Sequence, residues 1–208
     1  MTHDRDASAG RGAGRLRSAA RLALLSLLLT GGCALFEPRD SQRPDEGEAI
    51  DWLPPLSPNA VLTNLATVVE ALEPHLYQEL LADSGWVRPF RFVADPAVSV
   101  PEPSWGLEEE LTCWQALSDR FLAEQTLPAL ALLRTDSLLG GDSASYTADY
   151  RLDFPAGQTQ AAAAYAGTLR LALSRNGRTG NWAIHRWEDW GGDSLASWTQ
   201  LKRGFLWP

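Results

Sequence analysis

Cysteine is nearly absent from this 208-residue chain, occurring only at Cys33 and Cys113. Two cysteines cannot build a disulfide framework. If Cys33 is modified, Cys113 stands alone and reads as a small buried apolar side chain. Histidine is almost as scarce: beyond the first 32 positions only His75 and His185 remain, and their spacing gives no case for zinc. No apolar run reaches the roughly 20 residues that a membrane-spanning helix needs. Nucleophile elbow, phosphate loop and dinucleotide fingerprint are all missing, so the residues imply neither metal nor cofactor and name no reaction.

What is present begins with an address. Arg5, Arg11, Arg15, Arg17 and Arg21 precede Leu22-Ala23-Leu24-Leu25-Ser26-Leu27-Leu28-Leu29, and Thr30-Gly31-Gly32-Cys33 follows. A charged region, a short apolar region and small residues before a cut describe a signal peptide. Leu29-Thr30-Gly31-Gly32-Cys33 resembles the lipobox of bacterial lipoproteins, with Thr30 standing where that family usually has leucine. The resemblance implies cleavage before Cys33 and acylation of that residue. Several acyl chains would make membrane attachment close to permanent, at about 0.8 kcal/mol per buried methylene. An ordinary secretory signal is the alternative. Ala34 is not the aspartate that marks inner-membrane retention in many lipoproteins, so the resemblance implies the outer membrane, facing the periplasm. Loss of residues 1–32 removes five arginines and two aspartates and moves the formal net charge from −8 to −11. Such a chain is a poor partner for nucleic acid or for an anionic lipid surface.

Residues 33–56 are acidic and proline-rich and read as an extended tether, with Trp52-Leu53 able to dock on the domain that follows. The domain is expected over 57–208. Val61, Leu65, Val68, Val69, Leu72, Leu76 and Leu80 draw one helical stripe between Asn59 and Asp83, capped by Ser57-Pro58 and broken near Leu72 by Pro74. Trp86 to Val93 is a short apolar segment. A second helix carries Leu107, Leu111, Trp114, Leu117 and Phe121, with Ser104 expected as its cap and Glu108, Glu109 and Glu110 on a solvated first turn.

After Gln125 the period changes to two. Thr126 to Leu133 is a strand that Pro128 places at an edge, and a glycine turn spans 138–143. Tyr146, Ala148, Tyr150, Leu152 and Phe154 alternate with polar neighbours, as do Tyr165, Gly167, Leu169, Leu171 and Leu173. Asn176-Gly177 is expected to supply positive backbone angles to the next hairpin. The last strand, Asn181 to Trp190, carries three tryptophans, whose indole N–H groups are expected to find partners near the sheet's edge. Trp198 to Leu206 closes the chain as a short helix or a strand end.

Helices followed by hairpin-linked strands predict an α+β domain with helices packed on a curved antiparallel sheet. This order, with Phe90-Arg91-Phe92-Val93-Ala94-Asp95-Pro96, Trp182-Ala183-Ile184-His185-Arg186-Trp187-Glu188-Asp189 and Ser197-Trp198-Thr199-Gln200-Leu201-Lys202, resembles the nuclear transport factor two-like superfamily, also called the cystatin-like or cone fold. Within it, the chain resembles lipid-anchored envelope proteins. The superfamily holds ketosteroid-isomerase and polyketide-cyclase enzymes as well as interaction modules, so the resemblance leaves both open.

By chemistry the catalytic candidates are Tyr77, Asp83, His185, Asp149 and Tyr150. If no bulge intervenes, His185 shares a strand face with Asp189 and could serve as a general base, although a structural histidine is the plainer account. Asp149 and Asp153 fall on the face opposite Tyr150 and read as solvated. Trp182, Trp187, Trp190 and Trp198, with Tyr150, either fill the cone or line a mouth for a small apolar ligand or a partner. Exposed surface at Trp190 or Trp207 would mark an interface. The expectation is a lipid-anchored binding or assembly module, engaging an envelope protein or a second copy of itself; the alternative is a small-molecule binder or isomerase-like enzyme using the cone's interior.

Overall fold

In a computed structural model of the chain, residues 50–192 and 194–207 are described. The signal segment and Cys33 lie outside them, as does most of the 33–56 stretch. Its last residues, Ile50–Leu56, are tied down: the Asn64 side chain accepts from Leu53 N–H at 3.0 Å and donates to Leu53 C=O at 2.7 Å, and Trp52 packs on the core.

Helix α1 (Pro58–Ala71) starts where Ser57 accepts from Ala60 N–H and Pro58 presets the first turn. Its apolar stripe Val61, Leu65, Val68 and Val69 is fully buried. It ends at Leu72, held at φ 52, where Glu73 N–H turns back to Val68 C=O; α2 (Pro74–Glu79) then begins at the proline that α1 cannot contain. Strands β1 (Arg91–Val93) and β2 (Ser104–Trp105) follow, so Ser104 is a strand residue and Gly106 caps α3 (Leu107–Ala123), with the Glu109 carboxylate on its N–H.

Four long strands come next: β3 (Ala129–Leu139), β4 (Ser143–Phe154), β5 (Ala163–Arg175) and β6 (Trp182–Gly191), then helix α4 (Trp198–Leu206). The six strands form one curved, unclosed sheet in the order β2-β1-β6-β5-β4-β3. Pairing is antiparallel except between β1 and β6, which run parallel. Strand β3 is an edge, as expected, but it begins just after Pro128 and runs on through Leu138 and Leu139, where a turn was expected. The tryptophan strand is last in the chain yet interior in the sheet, because β1 returns to its free side.

Strand β4 alternates as read, with Ala144, Tyr146, Ala148, Tyr150, Leu152 and Phe154 all buried. Helix α1 packs on β3 and β6, and α4 packs on β5, β6 and α3. The β5–β6 connection departs from the tight-turn expectation. Gly180, at φ 78, supplies the positive angle, while Asn176 instead accepts from Arg178 and Thr179 N–H through its side chain. Six residues separate the strands, so no two-residue turn is needed.

Where β5 meets the end of β6, Gly167 faces Gly191. A Cβ at Gly167 would sit 2.2 Å from the Trp190 carbonyl oxygen and 3.0 Å from the Tyr150 hydroxyl. Backbone cannot yield as a flexible side chain can. Gly167→Ala is therefore expected to cost about 3 kcal/mol or more, at or above the usual overpacking range. Urea denaturation reads this directly, and an unchanged midpoint would contradict the packing described.

Candidate functional site

The interior between helices and sheet is occupied. Trp114, Trp187, Trp198, Tyr77 and Phe92 are among its largest fully buried side chains, and so is Lys202. Lys202 is the only lysine in the chain. Its ammonium lies 2.6 Å from Glu110 Oε1, with side-chain exposures of 1% and 0%. Tyr77 O–H donates to the same oxygen at 2.5 Å, and Trp105 Nε1–H donates to Oε2 at 2.8 Å. Three rings surround the ammonium: Phe92 at 3.8 Å, Trp187 at 4.7 Å and Trp198 at 5.6 Å from their centroids. Removing an ion pair from water costs several kcal/mol per ion. Here three donors on one carboxylate, and ring faces about the cation, offset that cost.

This cluster corrects the reading of the glutamate run. Glu108 and Glu109 lie on the outer part of α3, but Glu110 is fully buried. Consecutive helical positions point in different directions, and that rule turns one of the three inward onto the stripe that includes Trp114, Leu117 and Phe121. The indole expectation also changes. Of the tryptophans in β6, Trp187 has no protein partner at Nε1, and the same holds for Trp114 and Trp198 outside that strand.

A second polar cluster sits beside the first. Tyr150 O–H donates to Asp189 Oδ1 at 2.8 Å and accepts from Trp198 N–H at 2.6 Å. Thr199 gives both its N–H (2.7 Å) and its hydroxyl (2.6 Å) to Asp189 Oδ2, and its hydroxyl oxygen accepts from Asp95 N–H. Asp95 in turn accepts from Ala97 and Gly191 N–H. Every carboxylate oxygen here has a partner. These are fastenings between β6, α4 and the segment after β1.

The candidates do not converge. Register slips between Ala172 and Leu173, so a bulge at His185 takes it off the face of Trp187 and Asp189. The condition on which it could be oriented by Asp189 is not met; its Nδ1 has no partner, and burial, then Arg88 and Arg186, lower its pKa. Asp83 is exposed and accepts from Gly85 N–H in a turn. Asp149 faces outward, toward Thr168 and Arg134. Tyr77 and Tyr150 are buried in separate clusters, and burial, then Glu110 for one and Asp189 for the other, holds both hydroxyls protonated well above their ordinary range. Trp182, Trp187 and Trp198 are core; Trp190 is 36% exposed on the outer face. No cluster able to hold a metal ion occurs among the described residues.

No protein-family model matches the chain, nor does any curated protein. Solved structures do. A proposed aromatic ring hydroxylase from Novosphingobium aromaticivorans superposes with a TM-score of 0.51 at 12% identity, over 69% of this chain and 92% of its own. A proposed dehydratase of the NTF2-like family from Streptomyces avermitilis gives 0.51 at 11%, over 65% and 94%. A protein from Kribbella flavida gives 0.50 at 14%, over 69% and 92%. The chain has the NTF2-like, cystatin-like cone fold.

Two outcomes follow from the sealed cluster. Lys202→Met leaves Glu110 buried without its cation and is expected to cost about 3–5 kcal/mol. Adding Glu110→Gln should restore part of that loss, and urea denaturation of the single and double variants that summed without coupling would rule out the pairing. Burial, then Glu110, pushes the Cys113 thiol from 9.0 up to about 12. Below the unfolded value the thiol is protonated in both states and the stabilising difference is complete. As pH rises past it the unfolded chain ionises first, so stability should fall from about pH 9 toward 12. Urea midpoints on either side of that threshold check the sign, and Tyr77 and Tyr150 act in the same direction.

Proposed function

We propose that this chain is a lipid-anchored protein of a bacterial envelope, held through acylated Cys33 at the outer membrane and facing the periplasm, whose cone domain works by binding and assembly. The observation that carries the reading is the filled interior. In a cone-fold enzyme the reacting groups must meet a substrate inside the cone. Here that space holds Trp187, Trp198 and a Lys202–Glu110 pair almost wholly out of solvent. The outer face is better suited to a partner, since Leu138, Leu139 and Trp190 are exposed on or beside it. Neighbours described as a dehydratase and a hydroxylase keep an enzyme reading in view. For this chain it would require the tryptophans to vacate the cone.

Cys33→Ser is expected to move the protein from the membrane fraction to the soluble one; retention in the membrane would refute the anchor. Native mass spectrometry of the full chain released in detergent is expected to show a dimer or a protein complex with no small adduct. A retained mass of a few hundred daltons would instead favour a carrier or an enzyme.

A further inference from the structure

At one end of the sheet the 85–88 segment, the β3–β4 turn and the β5–β6 hairpin enclose a cleft of about 530 Å³. Arg88, Arg175 and Arg178 all line it, with Trp86, Ser143 and Gly177. Three arginines about one small cleft give it an excess of positive charge that an anion would offset. The protein supplies little. Asp142, which lines the cleft, lies 3.9 Å from Arg175 while itself 82% exposed, Arg175 Nε donates to Gly180 C=O at 3.3 Å, and among the described residues Arg88 and Arg178 have no carboxylate within ion-pair distance. Arg88 also lines a neighbouring hollow with His185, whose pKa is lowered by burial first and then by Arg88 and Arg186. All this stands on a chain whose formal net charge is −8.

We propose that this cleft binds the phosphoryl group of a phosphate ester. A carboxylate offers two oxygens, which one guanidinium fork can occupy; a phosphoryl group offers three to several forks at once. The volume exceeds what phosphate alone fills and falls in the range of small-molecule sites. The ester substituent is left to lie beside Trp86, and Gly177, with open space around its Cα, leaves the hairpin side unobstructed. The cleft is separate from the sealed interior, and its use does not depend on Cys33 carrying lipid.

The test is calorimetry on the full chain in detergent, titrated separately with glycerol phosphate and with short-chain phosphatidylglycerol. Saturable binding of either is expected, weakened about tenfold or more in Arg88→Ala and again in Arg178→Ala. Both side chains are exposed, so the thermal midpoint should stay near that of the parent protein. Arg203→Ala, on exposed surface of α4, should bind as the parent does. Binding of the phospholipid alone would identify a lipid headgroup as the source, and binding of glycerol phosphate alone a soluble ester. The proposal is overturned if neither binds, if the two cleft variants bind like the parent, or if Arg203→Ala weakens binding as much as they do.

Discussion

The buried pair of Lys202 and Glu110 is the constraint around which the domain is arranged. An ammonium and a carboxylate removed from water must satisfy each other and every remaining lone pair and proton locally. That demand places Tyr77 of α2, Trp105 of β2 and Glu110 of α3 at hydrogen-bonding distance about one point, with Lys202 of α4. Phe92 of β1 and Trp187 of β6 close over the cation. Three helices and three strands are thus held to one charged centre. Apolar packing alone tolerates sliding; this arrangement does not.

Helix α4 is the piece that joins the two polar clusters. Thr199 and Lys202 are three residues apart and share a helical face. Through Thr199 the helix is fastened to Asp189 of the sheet, and through Lys202 to Glu110 of the helical layer. Trp198 packs edge-on against Tyr150 and tilted against Trp187. The short C-terminal helix therefore acts as a rivet through the cone. The cone is filled because its own chain fills it.

The class and most of the elements are legible in the sequence, because they rest on local periodicity. Strand β4 shows this best: one face is buried along its whole length, so the alternation of Tyr146, Ala148, Tyr150, Leu152 and Phe154 is unbroken. Helix α1 and its break at Pro74 were legible for the same reason. Strand order was not, since the pairing of β1 with β6 is a contact between segments some ninety residues apart. The bulge at His185 depends on a one-residue slip against β5 that composition does not mark. Glu110 was hidden by company, as the third of three glutamates. A signal did exist: the position lies four residues before Trp114 on the apolar stripe, and the chain uses arginine at every basic position except 202.

That exception has a practical meaning. The chain has a single ε-amino group, and the native fold encloses it with 1% of its side chain exposed. Reagents that acylate lysine can reach it only when α4 lifts from the sheet. The rate at which such a label appears on Lys202 measures how often the rivet opens, so the domain carries a built-in clock for its own unfolding.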